Sequence, residues 1–97
     1  MKYPVNIRLT KLKTLEDAEY PQEERFPSNT TIKEGLMWAF SKPKIGKRFP
    51  VLQSKMSALF VTSLVKKITK IDSNTSILKT LNSEYKLEIL NEQDKER

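Results

Sequence analysis

The chain has no cysteine and no histidine among its 97 residues. Without cysteine there is no disulfide framework, no thiolate nucleophile and no zinc ribbon. Without histidine the commonest metal ligand and the commonest general base are both missing. Only two glycines are present, too few for a glycine-rich phosphate loop. Long apolar runs are missing too. The longest, Gly35 to Phe40, falls far short of the ~20 residues a helix needs to cross a bilayer. Residues Met1 to Arg8 lack the apolar block of a secretion signal. Together with the absent cysteines, this leads us to expect a cytoplasmic protein with no membrane partner. One further gap is local. From Lys42 to Lys70 there is no Asp or Glu, while eight cations fall there: Lys42, Lys44, Lys47, Arg48, Lys55, Lys66, Lys67 and Lys70.

These gaps leave little room for catalysis. Ser63 and Ser83 have no histidine to activate them, and Lys66 and Lys67 sit among like charges with no recognisable motif. Glu34, Asp72, Glu84 and Glu88 are not spaced so as to bring two carboxylates together. The expectation is a protein that is not an enzyme, with no cofactor and no metal site. Asn29-Thr30-Thr31 and Asn74-Thr75-Ser76 fit a glycosylation pattern, but with no secretion signal we read both as turns.

Hydrophobic residues make up 37% and charged residues 31%, lean but enough for one small core. The clearest fold signal is Leu59 to Leu90, three extended segments separated by two turn clusters, Asp72–Ser76 and Asn82–Glu84. In the last segment Tyr85, Leu87 and Ile89 alternate with Lys86 and Glu88, the mark of a half-buried strand. Upstream, Val5, Ile7 and Leu9 predict a strand over residues 4–10, and the alternation fails beyond Lys11. Residues 14–31 form an acidic connector with Glu16, Asp17, Glu19, Glu23 and Glu24. A short helical turn at Leu15–Tyr20 would be ended by Pro21. Thr31 to Phe40 predicts a strand with Leu36, Trp38 and Phe40 on one face and a bulge or sharp bend at Gly35. A turn over Ser41–Lys47 follows, then a short strand over Arg48–Gln53 that Pro50 makes an edge or a bulge. A loop over Ser54–Ser57 leads to Leu59–Thr62. Ser63–Val65 predicts a tight turn before a strand over about residues 66–71.

This pattern predicts a mainly β fold, a small SH3-like or partly open barrel of five to six strands with an N-terminal arm. The organisation is 1–30 as N-terminal strand plus acidic connector, 31–90 as barrel, and 91–97 as a frayed charged tail.

Three short elements carry a resemblance. Pro43-Lys44-Ile45-Gly46-Lys47-Arg48-Phe49, Thr62-Ser63-Leu64-Val65 and Thr80-Leu81-Asn82-Ser83-Glu84-Tyr85 stand in this order. They resemble Pro-x-x-Gly-x-x-Phe, Thr-Ser-x-Val and Thr-x-Asn-Ser-x-Tyr elements of small uncharacterised bacterial and phage-associated β-barrel proteins. The likeness covers roughly residues 35–90. It implies a small barrel and brings no biochemical activity with it.

Function therefore has to be read from charge. The net charge is +6 and the isoelectric point near 9.6, which favours anionic partners. Lys42, Lys44, Lys47 and Arg48 crowd one predicted turn, where they can follow a phosphate backbone, with Lys66, Lys67 and Lys70 as a second segment. Trp38, Phe40 and Phe49 flank that turn, and any exposed ring among them offers a stacking surface; the competing reading places them in the core. The expected site is Lys42, Lys44, Lys47, Arg48, Lys66, Lys67, Lys70 and Trp38. The expected partner is nucleic acid or a nucleic-acid-binding protein. The alternative is an inhibitor or accessory protein of a phage or mobile element, for example an anti-defence protein. It would occlude a host protein or nucleoprotein, with Trp38, Tyr20 or Phe26 as anchors.

Overall fold

The computed structural model of the chain describes residues 2–19, 27 and 29–90. Six strands follow in order: β1 (Val5–Thr14), β2 (Thr30–Met37), β3 (Arg48–Ser54), β4 (Ser57–Asp72), β5 (Thr75–Thr80) and β6 (Ser83–Ile89). Each pairs antiparallel with the next, and β1 also pairs with β6, so the sheet closes on itself. The small barrel read from the sequence is present. It is closed rather than partly open, and its first strand is no arm. β1 is hydrogen-bonded on both sides, Ile7 opposite Gly35 of β2 and opposite Ile89 of β6.

The alternation of β1 builds one wall of the core. Val5, Ile7 and Leu9 point inward and are fully buried, each burial stabilising the fold by about 1.5–3 kcal/mol. Phe49 and Val51 of β3, Val65 of β4, Leu78 of β5 and Leu87 of β6 meet them there. Tyr85 belongs to this core as well, its ring edge-on to Phe60 at 6.2 Å. The strand runs to Thr14, four residues past its expected end. The reason is Lys11, which takes the next inward position and is 1% exposed. A lysine on the inward register ends the hydrophobic alternation without ending the strand.

Two expected turns resolve differently. Ser63–Val65 is not a turn but the middle of the 16-residue β4. Its first half pairs with β3, as far as Leu64 opposite Arg48, and its second half pairs with β5, from Val65 opposite Thr80. Register shifts at both pairings let the strand bend instead of reversing. Ser54–Ser57, expected as a loop, is a tight hairpin in which Ser54 pairs with Ser57 around Lys55-Met56. The Asp72 cluster behaves as expected, Asp72 Oδ1 accepting from the backbone N–H of Asn74 at 2.8 Å. Pro50 sits at a register shift of β3, as its missing N–H requires.

Gly35 marks a close approach of two strands. A Cβ built there would lie 2.6 Å from the Leu52 carbonyl oxygen and 2.8 Å from Val51 Cγ1. β2 and β3 pair only through Leu36 and Leu52, so this narrow seam closes the barrel. Gly35→Ala must push the strands apart, and urea denaturation should show a loss of about 1–3 kcal/mol. An unchanged midpoint would mean that the seam opens freely.

Candidate functional site

β2 stops at Met37, three residues short of its expected end at Phe40 and just before the two aromatics expected on it. Trp38 is still extended, but Ala39–Ser41 form a single 3-10 turn. Ser41 fastens it: its buried Oγ accepts from the Trp38 N–H at 2.8 Å and donates to the Trp38 carbonyl at 3.1 Å. The expected face of Leu36, Trp38 and Phe40 is therefore broken. Trp38 is half-buried, while Phe40 is turned outward and 55% exposed. The two rings still lie nearly parallel, 19° apart with centroids 6.1 Å apart.

The chain then leaves the sheet until Arg48. Gly46 takes φ +86°, a left-handed conformation natural to glycine. This excursion is tied down at its far end. Gly46 N–H donates to the Val65 carbonyl at 2.8 Å, and Val65 N–H donates to the Lys47 carbonyl at 2.9 Å. Lys42 Nζ lies 5.4 Å from the Tyr3 ring centre, a cation–π contact at the near end. Between the excursion and the β3–β4 hairpin lies an open groove of about 490 Å³. Pro50, Leu52 and Ala58 supply apolar lining, and Phe40 and Met56 stand on its walls.

Five cations line this groove, Lys42, Lys44, Lys47, Arg48 and Lys55, and among the described residues no carboxylate does. All five are exposed. Among the described residues the ion pairs lie elsewhere, on the outer face of β2, β1 and β6. There Arg8 meets Glu34 at 2.9 Å and Glu88 at 3.8 Å, and Lys86 meets Glu88 at 3.9 Å. The groove cations are thus close together and unneutralised by these carboxylates, an arrangement that raises the local concentration of anions.

Of the expected site, Lys42, Lys44, Lys47 and Arg48 come together in the groove. Lys66, Lys67 and Lys70 do not line it. They are exposed on the second half of β4, which begins beside the excursion's anchor at Val65. Trp38 is not on the groove wall but supports Phe40 from behind. Phe49, the third flanking aromatic, is fully buried core. Lys55, which is not part of the expected site, completes the groove. It sits on the hairpin tip with Nζ 5.8 Å from the Trp38 ring centre. Lys-Met lacks the asparagine or glycine that marks a two-residue turn, so nothing in the sequence brings Lys55 to the same groove as Lys44.

Of the acidic connector, residues 14–19, 27 and 29–31 are described, and Thr30 and Thr31 already belong to β2. Ala18 N–H donates to the Leu15 carbonyl at 3.2 Å, one turn within the segment where a short helical turn was expected. Leu15 and Glu19 are bonded through their N–H groups to Asn82 and Leu81, and the exposed Glu16, Asp17 and Glu19 do not line the groove. Glu23, Glu24, Tyr20 and Phe26, like the tail over 91–97, lie outside the described residues. Comparison with protein-family models, with curated proteins and with solved structures returned no match.

Ser41 should govern how Phe40 is presented. Ser41→Ala removes both of its hydrogen bonds and should lower stability by about 0.5–1.5 kcal/mol. Because Trp38 is the sole tryptophan, acrylamide quenching should rise in the variant as the turn loosens. Unaltered quenching would show that the rings hold the turn without Ser41.

Proposed function

We propose that the protein is a non-enzymatic β-barrel module that binds nucleic acid through the groove between residues 40–48 and the β3–β4 hairpin. The observation that carries this is the grouping of Lys42, Lys44, Lys47, Arg48 and Lys55 around one concavity that no carboxylate of the described residues lines. Long, flexible cationic side chains of this kind neutralise phosphates and release their condensed counterions. Lys66 and Lys67, next in the chain to the groove's anchor at Val65, extend the positive surface along β4.

A second reading draws on exposed Phe40, Ile45 and Met56 around the same loop and hairpin. These residues suit an accessory protein of a phage or mobile element that covers a host protein or nucleoprotein, because apolar anchors ringed by charge are what interfaces use. Salt dependence separates the two. If all five groove cations meet phosphates, log K against log salt has a slope of roughly −3.5 to −4.5, so affinity falls roughly 100- to 500-fold between about 50 and 200 mM salt. The double reversal Lys44→Glu, Lys47→Glu should weaken binding at least about tenfold and flatten the slope by roughly 1.5. Fluorescence anisotropy with labelled oligonucleotides measures both. No binding at low salt to single- or double-stranded probes would remove the nucleic-acid reading and leave the protein partner.

A further inference from the structure

We infer that this groove takes single-stranded nucleic acid, with the ring of Phe40 as the platform on which one base stacks. The inference rests on the nucleic-acid reading above and says which form of nucleic acid the groove selects.

Charge alone does not distinguish a duplex from a single strand, since both present phosphates. The apolar part of the groove does. A phenylalanine with more than half its surface in water has a hydration cost, and Phe40 is in that state while lining the groove. Its ring is not loose. It lies parallel to Trp38, which is half-buried and has the Lys55 ammonium over it. Ser41 fixes the backbone on which both rings are carried. The result is an aromatic surface set in advance beside five cations. On the hairpin side Met56, 88% exposed, adds a polarisable side chain of the kind that packs against rings.

A paired duplex has no free base face to offer such a ring, because its bases are stacked on one another. Unpaired bases do have one, and stacking on aromatic side chains beside a basic channel is how sequence-tolerant single-strand binding works. The course of the strand is also marked. From Leu64, which lies opposite Arg48, β4 runs six residues to Lys70, about 20 Å. Lys66, Lys67 and Lys70 are exposed along that length, so a strand leaving the groove meets further cations.

The test uses the full chain, a labelled oligothymidine of about 15 nucleotides and a blunt duplex of the same length. The wild type should prefer the single strand. Phe40→Ala should weaken single-strand binding by about 5- to 150-fold and leave duplex binding and the salt slope unchanged, because no phosphate contact is lost. Phe40→Trp should restore it. Lys44→Glu with Lys47→Glu should instead weaken both probes and flatten the slope. If Phe40→Ala leaves single-strand affinity unaltered, or lowers both probes equally, while charge reversal still weakens binding, the stacking inference fails and the nucleic-acid reading stands. If neither probe binds the wild type at low salt, both fail. Phe40 is on the surface, so its loss is not expected to unfold the barrel.

Discussion

The structure depends on the point where β4 leaves β3 and joins β5. A strand of 16 residues cannot stay with one partner around so small a barrel. It must bend, and bending disturbs its ladder. The disturbed groups are taken up by specific partners. Thr62 Oγ1 accepts the Phe49 N–H at 3.0 Å and donates to the Ser63 carbonyl at 2.7 Å. The Val65 N–H and carbonyl are used by Lys47 and Gly46, and the Leu64 carbonyl accepts from Leu81 N–H at 3.1 Å. A buried backbone group left without a partner costs about 1–3 kcal/mol, so these bonds keep the bend in one place. They also fix the far end of the excursion that carries the groove lysines.

This joint gives a physical reason for the three short sequence elements. The Phe49 end of the first, the Thr62–Val65 element and the Thr80–Tyr85 element all meet there. Phe49 bonds Thr62, Val65 lies opposite Thr80, and Leu81 reaches Leu64. Thr80 adds its own corner, its Oγ1 donating to the Ser83 carbonyl and accepting from the N–H groups of Asn82 and Ser83. Thr62, Thr80, Asn82 and Ser83 are all buried. Small polar residues are selected at such positions because their side chains replace missing ladder bonds. The pattern therefore specifies how a barrel corner is made. It does not specify a ligand, and the groove owes only its anchor to it.

How much of this was legible follows from what a hydrophobic pattern can carry. The β1 and β6 alternations and the Asp72 turn could be read directly, because each is local. Lys11 hid the second half of β1, since an inward lysine looks like the end of a strand. The β4 bend was read as a turn because Ser63-Leu64-Val65 breaks the period of two. Whether a broken period means reversal or bulge is decided by the neighbouring strands, not by the segment itself. Gly35 was legible as a special position but not as a close strand crossing, which depends on Leu52, 17 residues later. For the groove, Lys42, Lys44, Lys47 and Arg48 were visible as a local crowd. Lys55 became part of it only through the hairpin, and Lys66, Lys67 and Lys70 were separated from it by the course of β4.

The charge arrangement is costly for the folded chain, which bears on how the cations are used. Lys67 lies directly opposite Lys79 across the β4–β5 ladder, a like-charge pairing that destabilises a sheet. Five cations share one groove that no carboxylate of the described residues lines. On the opposite side of the ledger of contacts, Arg8 has glutamates on both neighbouring strands, at register positions directly across from it. The same fold therefore neutralises charge around Arg8 on β1, and leaves it concentrated around the groove. Stability alone would favour placing acids among Lys42 to Lys70, since exposed opposite-charge pairs contribute a little and like charges only repel. A uniform basic surface would serve solubility as well as a clustered one. On the proposed reading, clustering beside an exposed aromatic ring would suit a polyanion with unpaired bases, whose phosphates would relieve the repulsion and whose bases would cover the ring.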